Sequence, residues 1–161
     1  MIGLIRIDDR LLHGQVALTW TPSVGAGCIL VANDKIADDD FQKMALNLAK
    51  PANVKLLVKS LTDTAAILND ARYNGIKMLV LLNSVIDVFS LSEMVTDIKS
   101  INFGGIRTKE GSKAVSTAVS LTESDVAIIQ KMLNKGLELE IRQVPGDKKL
   151  MLSEVVKNGY K

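Results

Sequence analysis

Apolar positions in this chain fall into short continuous runs, separated by longer stretches in which they recur every three or four residues. The runs at residues 2–7, 28–32, 54–58, 76–82, 101–103, 114–119 and 137–144 predict seven β-strands. Two of them, at Ile29-Leu30-Val31 and Met78-Leu79-Val80-Leu81-Leu82, show no polar alternation. Such strands are covered on both faces, which points to a mainly parallel sheet. Residues 14–20 begin a first helix, and residues 38–49 carry another until Pro51 forbids its extension. Ser60 with Asp63 and Thr122 with Asp125 have the spacing of capping boxes ahead of helices at 65–73 and 126–134, with Gly75 and Gly136 as stop signals. Residues 93–99 end a further helix, with Met94, Val95 and Ile98 placed to cover the sheet, and residues 150–156 form a short last one. The alternation predicts an α/β fold: a single doubly wound domain over residues 1–161, with a mainly parallel sheet of about seven strands covered by helices on both faces. The loops after parallel strands then gather at one edge, where such sheets bind ligands. They comprise the segment after Ile7 together with Asn33-Asp34, Lys59-Ser60 and Asn83-Ser84.

Composition narrows this picture. Hydrophobic residues make up 47% of the chain and aromatic ones only 4%, so the core is aliphatic. The net charge of +2 is dispersed, without a basic stripe or aromatic ladder, which argues against nucleic-acid binding. Lys148, Lys149, Lys157 and Lys161 read as a solvated surface. Cys28 is the only cysteine, so no internal disulfide forms. Its apolar setting predicts a buried structural thiol in a reducing compartment. No leader segment and no apolar run of transmembrane length is evident, so the protein is expected to be cytoplasmic.

One segment carries chemistry. His13, the only histidine, lies in Ile7-Asp8-Asp9-Arg10-Leu11-Leu12-His13-Gly14-Gln15-Val16, where the first strand breaks into a loop. A neutral imidazole is a nucleophile near pH 7, and an arginine three residues away suits an anionic group placed on it. Phosphoryl transfer through histidine is the chemistry this combination suggests. Other signals fail. Gly25-Ala26-Gly27 precedes a strand and lacks the third glycine of a dinucleotide fingerprint, and residues 105–113 enter a strand where a phosphate loop would enter a helix. The first reads as a turn and the second as a flexible surface loop. One His and one Cys cannot build a nitrogen and sulfur zinc site, and Asp38-Asp39-Asp40 reads as the acidic start of a helix. The His13-Gly14 pair resembles the histidine phosphatase and phosphomutase group, but those enzymes use a second histidine that this chain lacks, so carriage of a phosphoryl group fits better than hydrolysis.

The run from Arg6 to Val16 strongly resembles the active loop of the enzyme IIB components of the mannose/fructose/sorbose family of the bacterial phosphoenolpyruvate-dependent sugar phosphotransferase system. The likeness extends through Trp20, Asn102-Phe103-Gly104-Gly105, Leu121-Thr122-Glu123-Ser124-Asp125, Lys135-Gly136 and Ile141-Arg142-Gln143-Val144-Pro145. It implies a protein-N(π)-phosphohistidine–sugar phosphotransferase subunit. The phosphoryl group comes from a IIA protein and goes to a sugar held by the membrane components IIC and IID, with which this chain associates transiently. Carried over residue by residue, His13 is the phosphorylated nucleophile and Arg10 a phosphate partner, while Asp8 or Asp9 orients the imidazole or holds Arg10. Backbone N–H groups around Leu12, Gly14 and Gln15 favour the phosphate, Gly14 permitting close approach. No cofactor and no metal is implied, and neither the sugar nor the oligomeric state is fixed. Because Met1 opens directly into the first strand, the IIA donor is expected to be a separate polypeptide. A regulatory module that binds a phosphorylated partner at the same loop is the rival class.

Overall fold

A computed structural model describes residues 1–158, so Lys161 lies outside the described residues. Its main sheet has the strand order β3-β2-β4-β1-β5-β8-β9, formed by β1 (Ile2–Asp8), β2 (Cys28–Ala32), β3 (Lys55–Lys59), β4 (Met78–Leu82), β5 (Ser100–Gly105), β8 (Glu138–Ile141) and β9 (Leu150–Met151). Every neighbour pairs parallel except β8 with β9. The remaining strands, β6 (Ser112–Ala114) and β7 (Ser120–Thr122), form a separate antiparallel hairpin.

The sheet is apolar on both sides because each central strand feeds two cores. Leu30, Val80, Leu82, Ile5 and Ile7 pack under α4 (Leu61–Leu68), α5 (Val85–Met94), α6 (Glu123–Asn134) and α7 (Leu152–Lys157). Ile29, Val31, Leu79 and Leu81 pack with Val16, Trp20, Ile36 and Leu46 on the opposite face. That face is covered by a π-helical segment, Val16–Trp20, continuing into α1 (Thr21–Val24), and by α2 (Asp34–Ala37) and α3 (Asp40–Ala49). Pro22 has no N–H to give to the carbonyl of Leu18, and the Thr21 N–H reaches five residues back to Val16, which widens the turn.

The capping signals hold: Ser60 accepts from the Asp63 N–H, Asp39 caps α3, and Thr122 with Asp125 forms a full capping box. Burial pushes the Cys28 thiol up, as its apolar strand implies. Four expectations need correction. Residues 114–119 are not one strand, because the Ser116 hydroxyl accepts from the N–H groups of Ala118 and Val119 and folds the run into the β6–β7 turn. The helix expected to end over 93–99 stops at Met94, whose carbonyl is taken by the Asn69 side chain, although Val95 and Ile98 stay buried. Strand β8 ends at Ile141, not at residue 144, because the next two carbonyls are given to a side chain of β1, described below. Residues 150–151 pair as β9 before the last helix begins.

The topology places the site. The chain leaves β1 toward β2 over one face and leaves β5 toward β8 over the other. These two strands are neighbours, so the loops after them diverge and open a crevice at their carboxyl ends, the switch point of a doubly wound sheet.

Candidate functional site

On β1, period-2 alternation puts Leu4, Arg6 and Asp8 on the Trp20 side of the sheet. Arg6 is fully buried and Asp8 nearly so. Parallel register then aligns Arg6 with Asn102 on β5 and Asn102 with Glu140 on β8, a polar row across three strands. Arg6 donates through Nη1 to Asn102 Oδ1 at 2.7 Å and to the Arg142 carbonyl at 3.0 Å, and through Nη2 to Asp8 Oδ2 at 3.2 Å and the Gln143 carbonyl at 3.1 Å. Asn102 in turn donates to Glu140, which holds Arg142 through two 3.0 Å contacts. The guanidinium groups of Arg6 and Arg142 both lie over the Trp20 ring, 5.0 and 5.1 Å from its centre, and its Nε1–H donates to the Gln143 carbonyl. Trp20 is therefore core, not contact surface. Burial holds the Arg6 guanidinium below its ordinary range, and Asp8 beside it offsets only part of that lowering.

Gly104 makes room for this row. A Cβ there would fall on the Arg6 guanidinium.

Beyond Asp8 the chain turns. The Leu11 N–H reaches the Asp8 carbonyl at 2.8 Å with Leu11 left-handed (φ 57°), and Asp8 Oδ1 accepts from the Arg10 N–H at 3.0 Å. A left-handed leucine costs roughly 1 to 2 kcal/mol, and Leu11 is buried. His13 follows at the mouth of the first helix, its carbonyl accepting from the Ala17 N–H. Its Nε2 lies 3.0 Å from Asp8 Oδ2, the same oxygen that faces Arg6.

The structure thus separates the two aspartates that the sequence leaves equivalent. Asp8 contacts the imidazole and the Arg10 backbone. Asp9 instead points to the loop after β5, where its Oδ2 accepts from the Arg107 N–H at 2.9 Å and from Arg107 Nε at 3.0 Å. The Arg10 guanidinium, among the described residues, has no hydrogen-bond or ion-pair partner, and it lines a cleft of about 480 Å³ together with Asp8, Gln15, Arg107, Ser116 and Thr117. Leu12 is buried, which leaves only its backbone for an anion. Gly14 is exposed, and a Cβ there would meet no protein atom within 4 Å, so nothing inside the fold requires its small size.

Sequence reasoning gave no role to Arg6, Asn102, Glu140 or Arg107. Arg6 left a trace, a charge inside an apolar run two residues before Asp8. Arg107 left none, since it stands in what reads as a surface loop. Asn33, Ser60 and Ser84 turn out to cap α2, α4 and α5. Among the described residues, no helix is long and apolar enough to cross a membrane.

Residues 2–161 match the family described as the PTS system sorbose subfamily IIB component. The chain is 36% identical over 156 residues to the mannose-specific EIIAB component of Escherichia coli K12, covering 97% of this chain but 48% of that relative, so it spans about half of it. It is 34% identical over 157 residues to the fructose-specific EIIB component of Bacillus subtilis, covering 98% and 96% of the two chains. The IIBSor domain of the sorbose permease from Klebsiella pneumoniae superposes with a TM-score of 0.93 at 29% identity, over 99% of this chain and 98% of that one.

Proposed function

The chain belongs to the family of PTS sorbose-subfamily IIB components, and on that footing we propose that it is a phosphohistidine carrier, loaded by a IIA protein and discharged to a sugar held by the IIC and IID membrane components. His13 is the carrying residue in this reading. The observation that supports it most is the 3.0 Å contact between His13 Nε2 and Asp8 Oδ2. A carboxylate at Nε2 favours the tautomer with the proton there and leaves the Nδ1 lone pair as the nucleophile.

In the first step that lone pair forms an N–P bond while the N–P bond of the donor histidine breaks, its electron pair staying on the donor imidazole. The proton on Nε2 remains against Asp8, which opposes the positive charge the phosphorylated ring acquires. In the second step the oxygen of a sugar hydroxyl takes the phosphoryl group, the Nδ1 pair returns to the ring, and the hydroxyl proton passes to water. Arg6 holds Asp8 in place through a 3.2 Å contact, and the buried row behind it fixes Arg6. Arg10 has its donors open to the cleft and is the phosphate partner. First-turn N–H groups from Gly14 onward add donors at the positive end of a helix. Both partners meet the same cleft in turn, so binding at the membrane complex is transient and takes place on its cytoplasmic side.

Incubation with phosphoenolpyruvate, the general phosphotransferase proteins and a cognate IIA supplied in trans tests the reading. Mass spectrometry is expected to find one acid-labile phosphate on His13. A regulatory module would bind the phosphorylated partner without gaining phosphate, and that outcome would displace the carrier reading.

Arg10 adds a graded test. Arg10→Lys keeps the charge but loses the planar fork, whereas Arg10→Ala loses both, and a charge-assisted contact is worth about 1.5 to 3 kcal/mol. Rapid-quench measurements are expected to give Ala slower than Lys and Lys slower than Arg, with the Ala variant down roughly 10- to 100-fold. Wild-type rates in both variants would leave Arg10 without a part in transfer.

A further inference from the structure

The cleft lined by Arg10 and by Asp8, the carboxylate that His13 contacts, has a second wall that the active-loop motif does not supply. Residues 106–120 fold across the carboxyl end of β5, and from this segment Arg107, Thr108, Ser116 and Thr117 face the same space as Arg10 and Gln15. Among the described residues, the charge on the walls comes from three arginines, 6, 10 and 107, and two aspartates, 8 and 9. Arg6 is buried, with its terminal amino groups occupied by Asp8, Asn102 and two carbonyls. Arg107 is held differently. Asp9 takes its backbone N–H and its Nε, while its two terminal amino groups have no hydrogen-bond partner among the described residues. Its side chain is 75% exposed. A guanidinium gripped at Nε by a carboxylate is fixed in orientation and still offers a pair of parallel N–H donors, the geometry that receives a phosphate.

We propose that Arg107 is a second phosphate-gripping residue of the site, oriented by Asp9, and that it closes the cleft on the phosphoryl group opposite Arg10. The inference rests on the carrier reading. A phosphoryl group on His13 is a dianion, and a lone free guanidinium neutralises half of it. Arg107, its charge shared with Asp9, adds two N–H donors from a different loop. Asp9 then acts by presenting Arg107, while Asp8, the last residue of β1, touches the imidazole. The hydroxyl groups of Ser116 and Thr117 stand on the same wall, within a segment held to the strand end by the Ile106 N–H to Ala118 carbonyl bond. No new bond is made or broken. The contact strengthens as the N–P bond to the donor lengthens and charge gathers on the equatorial oxygens.

The test compares wild type with Arg107→Gln and Arg107→Lys in transfer from phosphorylated IIA, with the folded state of each variant followed by amide spectra. Arg107→Gln is expected to slow transfer about 10- to 100-fold, with Arg107→Lys between it and wild type. A readout that a structural tether would not move accompanies the rate: ³¹P titration of the phosphorylated chain, in which loss of an adjacent guanidinium raises the pH at which the phosphoryl group gains its proton. A wild-type rate in Arg107→Gln overturns the proposal. So does a slower rate with an unmoved titration, which would make Arg107 only the partner of Asp9. If wild type itself takes no phosphate on His13, the carrier reading falls and this inference with it, an outcome distinct from the other two.

Discussion

His13→Gln is expected to abolish phosphoryl acceptance while leaving the fold in place. The chain has no second histidine to take over, so the loss should be complete and not merely a slower rate. The stability change should be small for a specific reason. His13 is not a free loop side chain: its Nε2 contacts Asp8, and the imidazole is only 16% exposed. A glutamine amide can still donate to that carboxylate, and Asp8 retains the Arg6 and Arg10 contacts, so unfolding should shift by about 1 kcal/mol. Mass spectrometry after incubation with phosphorylated IIA, run beside thermal unfolding, measures both quantities. Stoichiometric phosphate on the variant would remove His13 from the mechanism.

Gly104→Ala should have the opposite signature, a large loss of stability from one methyl group. The new Cβ would occupy the space of the Arg6 guanidinium. A flexible side chain at the surface would move aside. Arg6 has nowhere to go, because it is fully buried and its terminal amino groups are bonded to Asn102, Asp8 and the carbonyls of Arg142 and Gln143. Displacing it leaves Asp8 buried without its cation, and breaking a buried pair costs about 3 to 5 kcal/mol. For a chain of this size that corresponds to a fall in Tm of roughly 6 to 20 °C. Transfer should fall as well, since Asp8 loses its orientation against His13. Calorimetry decides the first part, and a Tm within a degree or two of wild type would mean that Arg6 relaxes without breaking the row.

Much of the fold was legible because burial on both sides of a parallel sheet leaves strands such as Ile29-Leu30-Val31 apolar without interruption. Caps were legible for a related reason: a serine or threonine reaching an N–H three residues on is a local interaction, and Ser60 and Thr122 make it as their spacing requires. The misread strand over 114–119 marks the limit of that logic. A run of β-formers does not disclose that one hydroxyl, from Ser116, will bend it into a turn. The helix expected to reach residue 99 failed similarly, because the Asn69 side chain that ends it comes from another element.

What the sequence determined by itself was local: the order of strands and helices, the caps, and the loop that carries His13 and Arg10 next to one another. Register and crossover decided the rest. Arg6, Asn102 and Glu140 are separated by 96 and 38 positions in the chain, and only parallel pairing of β1, β5 and β8 sets them side by side. The split between Asp8 and Asp9 has the same origin. Neighbours on an extended strand end point to opposite sides, so one reaches the imidazole on its own loop and the other reaches Arg107, which arrives from the loop after the adjacent strand. A pattern of residue types records which side of a strand a residue occupies, but not which strand will lie beside it.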